Sequence, residues 1–88
     1  MEDARFDFGD GLGPVPAHRH VNGGGWVAYS AVVMKSVWVG PEAQVYGHAW
    51  VMDTVKVVDR ARVHGRAYLR GDVTVAGEVD HDLMVGVA

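Results

Sequence analysis

The chain contains no cysteine, so neither a disulfide framework nor a thiolate metal site can underlie its structure. It has no apolar run approaching the roughly 18 residues needed to span a bilayer. Its acidic, glycine-rich N-terminal stretch does not read as a signal peptide. A basic excess is missing too: 8 Lys and Arg stand against 11 Asp and Glu, a formal charge of −3 with histidine neutral. That balance offers no footprint for a phosphate backbone, so neither nucleic acid nor a membrane is an expected partner. The expected setting is cytoplasmic or virion-associated. What remains is small and apolar. The 88 residues are 49% hydrophobic and 22% charged, which describes one small globular domain. Glycine supplies 12 of them, and valine is the commonest residue.

The arrangement of valine and glycine is periodic. Stepping by six from Val27 meets Val33, Val39, Val45, Val51, Val57, Val63, Leu69 and Val75, an unbroken aliphatic column. Four residues after each stands a second apolar position: Ala31, Val37, Ala43, Ala49, Val55, Ala61, Ala67, Val73 and Val79. Two residues after each, from Pro41 onward, come only proline, glycine and aspartate: Pro41, Gly47, Asp53, Asp59, Gly65, Gly71 and Gly77. A period of six fits neither a helix nor a long strand, but it fits a four-residue strand followed by a two-residue corner. In Ala43-Gln44-Val45-Tyr46, alternation sends Ala43 and Val45 inward and the other two outward. Glycine or aspartate at the first corner position tolerates the left-handed backbone that a sharp turn needs. The expectation is an all-β solenoid.

The units Val45-Tyr46-Gly47-His48-Ala49, Val63-His64-Gly65-Arg66-Ala67 and Leu69-Arg70-Gly71-Asp72-Val73 resemble the hexapeptide repeat of left-handed parallel β-helices. The lead-in Gly23-Gly24-Gly25-Trp26-Val27 is similar to that of small bacterial and phage members. The resemblance covers Gly25 to the C-terminus and implies a single left-handed, triangular coil every three hexads, with residues 18 apart stacked. It says little about activity, because the fold carries transferases, anhydrases and purely structural proteins.

In that register, strands begin at residues 25, 31, 37, 43, 49, 55, 61, 67, 73, 79 and 85, giving between three and four coils. Residues 1–24 lie outside the repeat and are expected to fold over the first coil as an arm or cap, with Asn22-Gly23-Gly24-Gly25 as a hinge. Residues 25–88 form the solenoid. Side one stacks outward-facing Val32, Trp50, Tyr68 and Gly86 beside Met34, Met52, Arg70 and Ala88, a set rich in the anchor residues of interfaces. Side two carries Trp38, Lys56 and Thr74. Side three reads as more polar: Trp26, Gln44, Arg62 and Asp80 beside Ala28, Tyr46, His64 and Asp82. Glu42, Arg60 and Glu78, each 18 apart, form an expected charge ladder at one corner. Val85 and Val87 occupy core slots of the last strand, an apolar edge that calls for a cover.

Five histidines are the candidate catalytic or metal-binding groups. In the resembled family a histidine near a subunit boundary serves acyl transfer as general base, and related anhydrases hold zinc with three histidines. Here His48 falls at a corner and His81 in a core slot; His64, near Asp80 and Asp82, is the best single base. The zinc ligand pattern is not reproduced, and neither a metal nor another cofactor is expected. His18 and His20 fall on one side of an extended segment. The functional expectation is a non-enzymatic structural or interaction module that self-assembles through its apolar side, its open helix end or both, as a trimer by the habits of the family, or binds another protein. Its interface residues are Val32, Met34, Trp50, Met52, Tyr68, Arg70, Val85 and Val87. The alternative is a minimal acyltransferase-like or metal-dependent enzyme with His64 at a subunit interface.

Overall fold

Each inward pair of the repeat is held by ladder hydrogen bonds to the pair one coil away, so the chain winds into a β-solenoid of about three turns. The computed structural model describes residues 5–9, 11, 13–79 and 84–85, the last two by backbone alone. Strands β1 (Arg5–Asp7) and β2 (Pro14–Arg19) precede the coils. The first coil holds β3 (Trp26–Ala28), β4 (Val32–Val33) and β5 (Trp38–Val39). The second holds β6 (Gln44–Val45), β7 (Trp50–Val51) and β8 (Lys56–Val57), and the third β9 (Arg62–Val63), β10 (Tyr68–Leu69) and β11 (Thr74–Val75). Strands β12 (Glu78–Val79) and β13 (Met84–Val85) begin a fourth. They form three parallel stacks, β3-β6-β9-β12, β4-β7-β10-β13 and β5-β8-β11. Through β11 the register is 18 residues: Val27 faces Val45, Val33 faces Val51, and Val39 faces Val57.

The inner positions build one dry core. Val37, Val39, Val45, Val51, Val55, Val57, Val63 and Leu69 are fully buried, with Ala43, Ala49, Ala61 and Ala67 between them. Burying each valine or leucine contributes about 1.5–3 kcal/mol against the ordering entropy of a short-stranded chain. The corners follow the turn column. Gly47, Asp53, Asp59, Gly65 and Gly71 all have positive φ, whereas Gly77 does not. At Gly47 a side chain is doubly excluded, by φ of 70° and by a Cβ position 2.8 Å from the Gly65 nitrogen of the next coil. Corner hydroxyls reinforce the stack: Ser30, Ser36 and Thr54 donate to the carbonyls of Gly47, Asp53 and Gly71.

The register changes after β11. Glu78 pairs with Arg62 and Val79 with Val63, while Met84 pairs with Tyr68 and Val85 with Leu69, all offsets of 16 rather than 18. The link from β11 to β12 is two residues shorter than that from β8 to β9, and Gly77 takes the ladder position that Ala61 holds one coil earlier. Its carbonyl accepts from Arg62 N–H at 3.3 Å, as that of Ala61 accepts from Gln44 N–H. The chain bends at Gly77, in the two-residue link from β11 to β12, with an ordinary φ. The shorter link corrects several expectations. Val79, not His81, fills the large core slot opposite Val63, and Met84, not Gly86, lines up with Tyr68. The charge ladder stops at two members: Arg60 Nε meets Glu42 Oε1 at 3.0 Å, and Glu78 stands one column away. Val85 pairs with Leu69, the place the 18-residue register gave to Val87, whereas His81 and Val87 themselves lie outside the described residues.

The N-terminal segment is a β-hairpin. β1 and β2 pair antiparallel, Phe6 opposite Val15, and β2 pairs antiparallel with β3, His18 opposite Val27. This extends the first stack to six strands and covers the edge of β3. The chain then crosses the end of the first coil: Val39 N–H donates to Asn22 O at 3.0 Å, and Gly25 N–H to Val39 O at 2.9 Å. The crossing is close. A Cβ on Gly25 would stand 2.3 Å from Gly40 O, so only glycine fits.

Candidate functional site

The hairpin decides which side of the prism is left for other molecules. Its apolar face turns onto side three, where Phe8, Ala17, Ala28 and Tyr46 form a second buried cluster with Phe6, Val15 and Trp26 against it. Outward slots 18 residues apart bring aromatic rings into a column. Phe8 stacks on Tyr46 at 4.7 Å and Tyr46 on His64 at 4.9 Å, with ring planes 20° and 6° apart. Phe6 stacks on Trp26 at 4.8 Å, and the Arg19 guanidinium lies 4.6 Å from the Trp26 ring centre. Arg62 donates to Phe8 O at 2.6 Å and ties the hairpin to the third coil. Side three, read from the sequence as polar, is thus the side the chain covers for itself.

His64 sits at the lower end of this column. Its Nε2 is 2.8 Å from Glu78 Oε2, a pairing that the two-residue shortening creates. The expected partners Asp80 and Asp82 lie outside the described residues. A histidine oriented by a carboxylate is the elementary unit of general-base chemistry. Among the described residues, no three His, Asp or Glu side chains converge to hold a metal ion. His18 and His20, read as sharing one side of an extended segment, have separate surroundings. His18 packs against Tyr29 at 4.7 Å, whereas His20 is buried. His48 is exposed at its corner.

A groove of about 640 Å³ runs between the hairpin and the Pro41–Glu42 corner, with Arg19, Arg60 and Arg62 on its walls. Each guanidinium already has a partner, Gly24 O, Glu42 and Phe8 O respectively. These contacts make the groove a seam between hairpin and coil.

Side one has no such cover among the described residues. Val32, Met34 and Trp50 are 41%, 46% and 48% exposed, although each is a large apolar side chain. Trp50 and Tyr68, consecutive in the stack, lie parallel at 6.5 Å with their planes 6° apart. Met52 and Tyr68 are half-buried and Arg70 is exposed. These six expected interface residues therefore share one face: β4, β7 and β10 are hydrogen-bonded neighbours, and Met34, Met52 and Arg70 follow them. Val85 joins them by backbone register only. Trp38, on side two, is 40% exposed and stands alone there beside Lys56 and Thr74. The sequence reading expected residues 1–24 to cover the first coil as an arm or cap, but not that Phe6 and Phe8 of a hairpin would cover side three. The signal was present in the alternation Phe6-Asp7-Phe8, then glycines, then Val15-Pro16-Ala17, which is a hairpin pattern.

Among the described residues no helix is long and apolar enough to cross a membrane. Comparison with protein-family models, with curated proteins and with solved structures returns no match to this chain.

Proposed function

We propose that the chain is a small β-helix of the hexapeptide-repeat, left-handed kind whose work is assembly: side one docks onto a second copy of the chain, or onto another protein, without catalysis. The observation that carries this reading is the unequal cover of two equivalent sides. The hairpin buries the aromatic column of side three, while Val32, Met34 and Trp50 on side one remain in solvent. Large apolar residues grouped on one rigid face are the usual mark of a contact surface, and Trp, Tyr and Arg are its usual anchors. The resemblance to hexapeptide-repeat proteins favours a trimer. The test is solution mass with and without Trp50→Asp. An oligomer that the substitution dissolves supports the reading, and a wild-type chain that stays monomeric at micromolar concentration removes self-assembly from it.

The His64–Glu78 pair favours a second reading, a minimal enzyme with His64 as base. The two readings separate on His64→Ala. Loss of function with assembly intact supports the enzyme, and retained function supports the module.

A further inference from the structure

The hairpin is fastened to the coils by a buried histidine. His20 is 5% exposed and is the one buried polar residue among those described. Its ring lies over the turn between β4 and β5, where Nε2 is 2.7 Å from Val37 O. A carbonyl only accepts, so Nε2 carries a proton and donates it to Val37 O. Its backbone closes the same junction: His20 N–H donates to Gly25 O at 2.7 Å, and Gly24 N–H to His20 O at 3.1 Å. The next residues make the crossing to Val39 described above. The ring therefore joins β2, the glycine crossing and the first coil at one point.

The surroundings disfavour a charged ring. Residues 14–40 contain no Asp or Glu; the groups that can be charged there are His18 and Arg19 on β2, His20 itself, and Lys35 in the turn beneath it. No carboxylate is placed to balance an imidazolium. Burial, foremost, and the neighbouring His18 hold the pKa of His20 below the ordinary 6.5, with the Val37 and Met34 carbonyls partly offsetting them.

We propose that His20 is an acid-released latch: protonation of its ring frees the hairpin and the glycine crossing from the first coil, uncovering the edge of β3 and the backbone of Val39 while the later coils stay folded. The sign follows from linkage. In the released state the ring titrates near the ordinary value and in the latched state below it, so the released state binds more protons between the two. Latching is at full strength above about pH 6.5, weakens by up to about tenfold per pH unit below it, and levels off beneath the latched-state pKa.

The test is amide hydrogen exchange on the full chain at about pH 7.5 and about pH 5, corrected for intrinsic rates. The expected result is loss of protection at Gly25 and Val39, with Val57 and Val63 unchanged. His20→Gln, whose amide still donates to Val37 O but does not ionise, is expected to hold the cap at both pH values. His18→Gln is expected to keep the wild-type response. Unchanged protection at Gly25 and Val39 in the wild-type chain, or an equal acid loss in His20→Gln, overturns the proposal. If His20→Gln is already open at neutral pH, the ring resonances of wild-type His20 decide. A transition below the ordinary value that coincides with loss of protection supports the latch, and a transition without that loss overturns it.

Discussion

Sides one and three are built by the same repeat, yet one is sealed and the other open. Both stack outward residues at intervals of 18, and both place aromatic rings in line, Tyr46 over His64 on one and Trp50 over Tyr68 on the other. The difference is the hairpin, whose Phe6 and Phe8 reach only side three. Tyr46 is consequently 3% exposed and Trp50 is 48% exposed, although both occupy outward positions of the second coil. The lesson is that in a solenoid the repeat sets which residues point outward. A non-repeating segment then decides which of those are interior after all.

Breaking the sealed side should have the largest effect on stability. Tyr46→Ala removes the middle ring of the Phe8–Tyr46–His64 stack and is expected to cost about 3–5 kcal/mol in denaturant unfolding. Gly25→Ala forces a Cβ against Gly40 O and Val39 Cγ1 at the crossing, for an expected loss of about 3 kcal/mol with the hairpin amides losing protection first. A stable Gly25→Ala hairpin would mean that the crossing is not what holds it.

On the open side the same kind of change should act on association. Trp50→Asp is expected to leave unfolding of the isolated chain within about 1 kcal/mol of wild type while weakening assembly. Unfolding losses as large as those of Tyr46→Ala would erase the contrast between the sides. The smallest effect concerns register. A double-mutant cycle of Arg60 with Glu42 should give a coupling of a few tenths to about 1 kcal/mol, and of Arg60 with Glu78 none. A comparable coupling to Glu78 would restore the 18-residue ladder and contradict the shortened coil.

Most of the coil architecture was legible because the physics of a short strand leaves few choices. Valine every six residues with an apolar residue four further on can be buried only if the chain turns after each pair of inward positions. Positive φ at Gly47, Asp53, Asp59, Gly65 and Gly71 matches the turn column at five of its seven positions, Pro41 and Gly77 being the exceptions. The loss of two residues was hidden because Gly77 continues the turn column in the sequence, while in the structure it bends the chain at the ladder position of Ala61. Val79 was equally ambiguous, since both inner columns accept valine. Those two residues moved Glu78 from Arg60 to His64, and so changed the candidate site.

The character of side three was illegible for a different reason. Tyr46, His64 and Trp26 interleave with Gln44 and Arg62, which reads as polar when the column is taken alone. The cover comes from residues 5–19, whose position depends on antiparallel pairing of β2 with β3 and not on any repeat. By contrast, side one was legible as apolar, and the structure leaves it so.

Sedimentation of the full chain beside its Trp50→Asp variant tests the central claim most directly. The account predicts that the wild-type chain sediments as a multiple of its 9.5 kDa mass and the variant as a folded monomer. An oligomer unaffected by the substitution would contradict the assignment of side one as the contact face.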